Sequence, residues 1–252
     1  MPYRRLPNTD QSRLRALEIA FRKSNIIPPQ SLAFSQASYN AIRAFLPKFN
    51  NALVHYRLAF KNQASKSKEY TELVRKARLY VSHFIQVLNM NIMRGDMKPN
   101  VREFYGLTDF EKSTPSLATE AELIQWGKTL IDGDHKRMLK GGNPIYNPSI
   151  ALVKVNYEKF AEAYHFQKTL QTITERSWKN VVELRTEADE LIATIWNEVE
   201  EYYSNLSDEG KRNKASEYGV VYVFRKSELQ NMPQNVSEEG ELISDPSVFS
   251  QS

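Results

Sequence analysis

Apolar residues recur along most of this chain at intervals of three and four, the spacing that places them on one face of an α-helix. The first stripe includes Ile42, Phe49, Leu53 and Phe60. Three further stripes cover residues 77–92, 150–164 and 181–202. Each stripe predicts a core-facing helix of about 25 residues.

Polar segments and turn residues between the stripes indicate where these helices begin and end. The segment QASKSKEY (63–70) is polar enough to predict a turn between the first two helices, and Gly95 is typical of a left-handed helix end. Asn147 and Pro148 are placed as the N-cap and first residue of the third helix. The pattern therefore predicts two helical hairpins.

A shift of 111 residues lays the first hairpin over the second. The matched pairs include Lys48 with Lys159, Phe49 with Phe160 and Ala77 with Ala188. The identities of Lys68 with Lys179 and of Glu72 with Glu183 lie outside the apolar stripes. We interpret this as an internal duplication with repeats at about 36–110 and 147–224. The predicted fold is all-α, a four-helix bundle made from two related hairpins.

Each repeat ends in a Tyr-Gly segment, FYGLTDF (104–110) in the first and EYGVVYVF (217–224) in the second. A glycine there can take a positive φ and release the chain into an extended path. In the second copy, Val220 to Phe224 form a short arm that is apolar on both faces. We expect the helices, an extended segment near 105–110, or a second subunit to cover it, and we favour an intramolecular cover.

The segments outside the repeats predict one more helix and a tail. Residues 10–24 read as a basic amphipathic helix behind the N-cap Thr9. Residues 119–140 open with the capping-box pair Thr119 and Glu122, but Gly127 and Gly133 predict a break. We predict a single helical domain over 1–225 and a polar, acidic tail over 226–252, which we expect to be mobile.

Composition restricts the class of protein. A chain of 252 residues with 41% hydrophobic and 25% charged residues is ordinary for a soluble globular protein. It has no cysteine, no apolar run long enough for a transmembrane helix, and no signal-peptide pattern at its start. These features predict a cytoplasmic location, with no membrane partner.

Charge is distributed unevenly along the chain. Residues 1–112 hold 19 Lys and Arg against 8 Asp and Glu, whereas the remaining residues hold 15 against 22. The basic half either binds an anionic partner such as nucleic acid or pairs with the acidic half inside the fold, and we favour internal pairing. The candidate phosphate-contacting residues are Arg4, Arg5, Arg13, Arg15, Arg22, Lys23, Arg75, Lys76 and Arg78.

Candidate chemistry is sparse. Glu162 and His165 have the Glu-x-x-His spacing that some helical bundles use to bind a metal. The equivalent residues of the other repeat, Asn51 and Val54, cannot act as a ligand pair. We find no catalytic or nucleotide-binding motif, and we read KGGNP (140–144) as a helix end and turn. We therefore assign no catalytic residue and no cofactor.

The opening MPYRRLPNTD and the closing YGVVYVFRKSEL, together with the repeats, resemble an uncharacterised family of bacterial all-helical proteins that has no established activity. The resemblance implies an all-α fold and a bacterial cytoplasmic setting, and it supplies no site residues. The expected function is a non-catalytic binding or scaffolding bundle with a protein partner, as a monomer or homodimer. Nucleic-acid binding is the first alternative and a metal-binding bundle the second.

Overall fold

The chain folds mainly into helices, as the apolar periodicity predicts. The structure is a computed structural model, and it describes residues 2–111 and 113–224. Its elements are β1 (Tyr3–Arg4), α1 (Asp10–Ser24), α2 (Gln36–Met93), α3 (Glu120–Leu139), α4 (Ile150–Tyr202), α5 (Asp208–Ser216) and β2 (Tyr222–Val223), with 3₁₀ turns at Pro29–Ser31 and Pro99–Tyr105. The all-α class is confirmed. The acidic tail predicted at 226–252 lies outside the described residues.

The predicted hairpins are wrong, because the first two stripes lie on one unbroken helix, α2, of 58 residues, and the last two lie on α4, of 53 residues. The turn predicted at 63–70 is helical. Its Gln, Ala, Lys and Glu residues are good helix formers. The segment is polar because none of residues 54–76 is buried, so most side chains there face solvent.

The described chain divides into two compact units. Unit 1 consists of residues 2–50 and 184–224, and unit 2 of residues 51–183. Unit 1 buries residues of α1 and of the end of α4, including Leu17, Ile195 and Trp196. The core of unit 2 includes Phe84 and Phe160. The single domain over 1–225 stays a prediction.

Two of the three helix starts predicted from capping residues are confirmed. Thr9 caps α1 and Thr119 caps α3, and the side chain of each accepts a hydrogen bond from the backbone N–H three residues later. The start predicted at Asn147 is wrong. Asn147 has a left-handed φ of 55°, and the hydroxyl of Ser149 accepts from the N–H of Leu152 at 3.4 Å. The cap therefore lies two residues further along the chain.

Helix α3 is unbroken, although its glycines predict a break. A Cβ added at Gly127 would lie 2.3 Å from the ring of Tyr157, and one at Gly133 would lie 2.3 Å from the carbonyl oxygen of Phe104. Neither contact is possible for a larger residue. The glycines are therefore required for close packing of α3. That packing outweighs the cost of about 1 kcal/mol that a glycine carries relative to alanine inside a helix.

The two Tyr-Gly segments adopt the same backbone motif. Gly106 and Gly219 have φ values of 64° and 88°, and the residue after each donates to a carbonyl five positions back, Leu107 to Arg102 and Val220 to Ala215. This is the Schellman arrangement of a helix end. The expectation that these glycines take positive φ is confirmed.

The arm after Gly219 pairs with a segment of the same chain, in agreement with the intramolecular cover that we favoured, but that segment is not residues 105–110. β2 pairs antiparallel with β1, so that Tyr3 lies opposite Val223, and the N–H of Arg5 donates to the carbonyl of Val221 at 2.9 Å. Only one face needs cover, since Val220 is 3% exposed and Val221 is 49% exposed.

Candidate functional site

The candidate site is a groove in unit 2 between α2 and α4, with a volume of roughly 360 Å³. It lies where the two helices have few other neighbours, so that side chains on their shared edge stay accessible. Its lining residues are Lys66, Glu69, Tyr70 and Leu73 of α2 and Lys159, Glu162, Ala163, Phe166 and Gln167 of α4. We call this the unit 2 groove. Its size is within the range of small ligand sites in proteins, about 300–1,000 Å³.

One buried polar atom of the unit 2 groove, the hydroxyl of Tyr70, lacks a hydrogen-bond partner among the described residues. Gln167 lies beside it in the groove and is 7% exposed as a residue. The hydroxyl of Tyr70 is buried and forms no hydrogen bond of ordinary geometry. An unsatisfied buried polar group costs about 1–3 kcal/mol. Tyr70 therefore presents hydrogen-bonding capacity that the described protein does not use.

The rim of the unit 2 groove carries charges of both signs. Lys66 and Glu69 form an exposed ion pair with a distance of 3.4 Å between Nζ and Oε2. Lys159 and Glu162 are exposed and have no ionic partner among the described residues. Leu73 and the half-exposed Phe166 add apolar surface. The groove thus combines apolar contacts with positive, negative and neutral polar groups.

The phenol of Tyr70 stays protonated near neutral pH. Burial raises the pKa of Tyr70 well above its usual value, and the carboxylate of Glu120 raises that pKa further. Tyr70 can therefore donate a hydrogen bond to a ligand over the physiological range. Gln167 can both donate and accept, which makes the pair suited to an amide, a hydroxyl or a backbone peptide group.

The predicted metal pair is only partly at this site. Glu162 lines the unit 2 groove, and His165 lies outside it with its ring edge-on to Tyr164 at 5.5 Å. Both side chains are exposed. Over residues 2–111 and 113–224, no group of three His, Asp or Glu side chains is arranged to hold a metal ion. The structure therefore places no further ligand beside Glu162 and His165.

Several candidate phosphate-contacting residues are already paired with carboxylates. In unit 1, Arg13 forms a bidentate pair with Asp189, with distances of 2.7 and 2.9 Å. Arg4 bonds to Glu200 at 3.0 Å and Lys23 to Glu217 at 2.6 Å. In unit 2, Arg75 pairs with Glu72 at 2.9 Å, and Arg78 donates to the backbone oxygen of Ala118.

Carboxylates from the second half of the sequence pair with Arg4, Arg13 and Lys23 of unit 1. Asp10 of α1 adds a further bidentate pair with Arg185 of α4 at 2.7 Å. Opposite charges of the two chain halves thus meet inside one unit, which favours the internal explanation of the charge asymmetry. Arg5, Arg15, Arg22 and Lys76 are exposed.

A buried polar cluster in unit 2 was not predicted from the sequence. The hydroxyl of Tyr105 donates to Asp134 at 2.6 Å, and the guanidinium of Arg137 donates to Asp134 at 2.7 Å, to Tyr105 at 2.7 Å and to the carbonyl of Asn143 at 2.6 Å. Burial raises the pKa of Tyr105, and its bond to Asp134 raises it further. Because every member is bonded to another, we read this cluster as structural.

Sequence reasoning also missed Tyr70, Lys159 and Gln167 of the unit 2 groove. One feature could have indicated Gln167, since it lies seven residues after Phe160 and continues the apolar stripe of α4 as a polar residue. An amide at such a position is costly to bury unless it has a partner. The partner helix, however, is far away in sequence.

No helix in the described part of the chain combines the length and apolar character needed to cross a membrane. Comparison with protein-family models, with curated proteins and with solved structures gives no match to this chain. The resemblance carried by the opening and closing motifs therefore rests on the sequence alone.

Proposed function

We propose that this protein is a non-catalytic binding module and that the unit 2 groove receives a segment of a protein partner. The observation that carries the proposal is the buried Tyr70 hydroxyl, which lacks a hydrogen-bond partner at the groove beside the Gln167 amide. A bound peptide segment would supply backbone N–H and C=O groups to both side chains. Satisfying the Tyr70 hydroxyl would remove a cost of about 1–3 kcal/mol.

The shape and charges of the groove favour a protein segment over a small anion or a metal. The groove follows two helices, the setting in which peptide segments commonly bind with a few apolar anchors. Phe166 and Leu73 supply apolar surface, while Lys159 and Glu162 offer one charge of each sign. A small anion would be repelled by Glu162 and Glu69 as much as it is attracted by the lysines.

A phage-displayed peptide library selected on the full chain tests the proposal. Peptides retained by the wild type should bind Gln167→Leu at least about tenfold more weakly, since one buried hydrogen bond is worth about 1.4 kcal/mol in such a comparison. Gln171→Leu is the matched control, because Gln171 is on the same helix, is exposed and does not line the groove. Equal binding to wild type and Gln167→Leu would remove the groove from consideration.

Nucleic-acid binding remains a second proposal for unit 1, and it is supported by the exposed Arg5, Arg15 and Arg22. Each neutralised phosphate would release counterions, so binding would weaken steeply with added salt. An electrophoretic mobility shift with a single-stranded oligonucleotide at low and high salt tests it.

No observation favours a metal at Glu162 and His165, and elemental analysis of the purified protein tests that site.

We also propose that the chain arose by internal duplication and acts in the bacterial cytoplasm as one helical domain. The duplication is supported by the same glycine-centred helix ends after Tyr105 and Tyr218. In the form that the helices allow, each repeat contains one long helix. An experimental structure tests this by superposing α2 on α4, which should place Phe49 on Phe160.

A further inference from the structure

A groove in unit 1 is lined by two arginines that form no ion pair with the described residues. It has a volume of roughly 570 Å³ and lies between the N-terminal segment, α1 and the segment after α5. Arg5 and Arg15 line it, and neither side chain has an ionic partner among the described residues. Ile19, Val221 and Val223 form its apolar surface. We call this the unit 1 groove.

Three other basic residues of this part of unit 1 are paired. Arg4, Arg13 and Lys23 each bind a carboxylate from the second half of the chain. Arg5 and Arg15 lie among these paired residues and have no such carboxylate within the described ranges. The unit 1 groove therefore presents two positive charges above an apolar floor.

The part of the chain that follows directly after this groove has the complementary composition. Val223 lines the groove, and residue 225 is two positions further on. Residues 225–252 contain five Asp and Glu, and the two basic residues, Arg225 and Lys226, stand at the start of the segment. The acidic residues Glu238, Glu239 and Glu241 are followed by the apolar pair Leu242 and Ile243. The sequence of this segment thus offers negative charges next to apolar side chains.

We propose that the acidic C-terminal segment, residues 225–252, docks in the unit 1 groove of the same chain. Glu238, Glu239 and Glu241 pair with Arg5 and Arg15, and Leu242 and Ile243 contact the apolar floor. The connection favours this occupant over any other, because a short tether gives a local concentration of the order of millimolar. A connection of thirteen residues, 225–237, can reach at most about 45 Å, which is long enough to permit return to a groove that begins at Val223.

The absence of cysteine makes a direct test possible in the full chain. A nitroxide spin label attached through Ser244→Cys broadens the amide resonances of nuclei near it. We expect the amides of Ser12, Ile19 and Gly219 to lose most of their intensity, while the amide of Arg43, which does not line the groove, keeps its intensity. Equal intensities at all four amides with and without the label would overturn the proposal.

Three charge variants of the labelled full chain locate the contact. Arg15→Glu should abolish the broadening, whereas Arg22→Glu should retain it, since Arg22 lies on the same helix but outside the groove. A third variant, E238Q/E239Q/E241Q, should also abolish the broadening, and it changes no residue within 2–224. Broadening should decrease at about 1 M NaCl, where the Debye length is about 3 Å.

Other occupants give different results. A mixture of isotope-labelled chains without nitroxide and nitroxide-labelled chains without isotope detects a second copy, and broadening in that mixture alone would overturn docking within one chain. An oligonucleotide that binds through Arg5 and Arg15, with no broadening in its absence, would assign the groove to nucleic acid instead. Because these residues are all in unit 1, failure here leaves the peptide test of the unit 2 groove unaffected.

Discussion

The two Tyr-Gly helix ends share a backbone and differ in what surrounds the tyrosine hydroxyl. Tyr105 and Tyr218 are both fully buried, and each ring meets a phenylalanine edge-on at about 6 Å, Phe84 and Phe34 respectively. The hydroxyl of Tyr105 is bonded to Asp134 and Arg137. The hydroxyl of Tyr218 is buried without a hydrogen bond of ordinary geometry.

This comparison distinguishes the features that both Tyr-Gly helix ends share from the ionic cluster that surrounds the Tyr105 hydroxyl. Ring burial and the left-handed glycine occur at both ends, so they are sufficient to turn the chain out of the helix. Within residues 2–111 and 113–224, the buried ionic cluster at the tyrosine hydroxyl is found in unit 2, where Asp134 and Arg137 are each 4% exposed. A buried ion pair contributes little net stability while intact but is costly to break. Unit 2 should therefore be the more sensitive of the two to single polar substitutions.

The largest effect is expected at Asp134. Replacing Asp134 with alanine leaves the buried Arg137 charge without its carboxylate and should lower the free energy of unfolding by about 3–5 kcal/mol. Urea denaturation followed by circular dichroism measures this change. Asp132→Ala is the matched control, because Asp132 is exposed on the same helix and should change stability by less than about 0.5 kcal/mol. A loss below about 1 kcal/mol for Asp134→Ala would contradict the buried ionic role.

The next largest effect compares the two glycines. Alanine in a left-handed conformation costs about 1–2 kcal/mol, and this is the expected effect of Gly106→Ala, whose added Cβ would lie 3.8 Å from Thr129. A Cβ at Gly219 would lie 3.1 Å from the carbonyl of Ala16 and 3.3 Å from Ile19. Gly219→Ala should therefore cost about 2–3 kcal/mol. Equal losses in urea denaturation would show that crowding against α1 is unimportant.

Removal of one hydroxyl from each site tests the comparison most directly. Tyr105→Phe breaks two buried hydrogen bonds and should lower the free energy of unfolding by about 1–2 kcal/mol. Tyr218→Phe removes a buried hydroxyl that has no partner, so its effect should lie between zero and a small gain of about 1 kcal/mol. The two variants differ by the same single oxygen, which makes each the control for the other. A loss at Tyr218 as large as that at Tyr105 would reveal a partner that the geometry does not show.

Alkaline pH should weaken the protein through these same groups. Burial raises the pKa of Tyr105 and of Tyr218 above the usual value near 10. The carboxylate of Asp134 raises the pKa of Tyr105 further, and the neighbouring hydroxyl of Tyr203 raises the pKa of Tyr218 further. The stability they contribute is fully present below the unfolded pKa near 10 and is lost as the pH rises toward the folded pKa. Each tyrosine should account for about 1 kcal/mol of lost stability by pH 11. Urea midpoints measured between pH 8 and 11 for the wild type and the two Phe variants check this.

Local features of the fold were predictable from sequence, whereas long-range ones were not. Thr9, Thr119 and Gly95 act on their own turn of helix, so their roles follow from nearby residues alone. The polar composition of segment 63–70 fits a turn and equally fits the exposed part of a helix that has few neighbours. Sequence could not separate these cases, because the difference depends on what packs beside the segment.

The same limit applies to the candidate site. Glu162 was singled out for its spacing to His165, yet the residue that distinguishes the groove is Gln167, and its environment depends on Tyr70 almost a hundred residues earlier. The cluster around Asp134 likewise needs Tyr105, which lies 29 residues away. Chemistry that arises between distant segments leaves no fixed spacing to recognise.

The smallest effect is expected just beyond the second helix end, at Val221. An arm that is apolar on both faces, as the sequence predicts, would bury an aspartate at Val221 or Val223 at a cost of several kcal/mol. The structure leaves Val221 49% exposed, and its backbone carbonyl, which accepts from the N–H of Arg5, is unaffected by the side chain. Val221→Asp alone should therefore change the free energy of unfolding by no more than about 0.5 kcal/mol.

Val220→Asp is the contrasting variant, since Val220 is 3% exposed and an unpaired charge there should cost about 3 kcal/mol or more. Equal urea midpoints for the two variants would mean that the chain after Gly219 does not direct its side chains alternately to the core and to solvent.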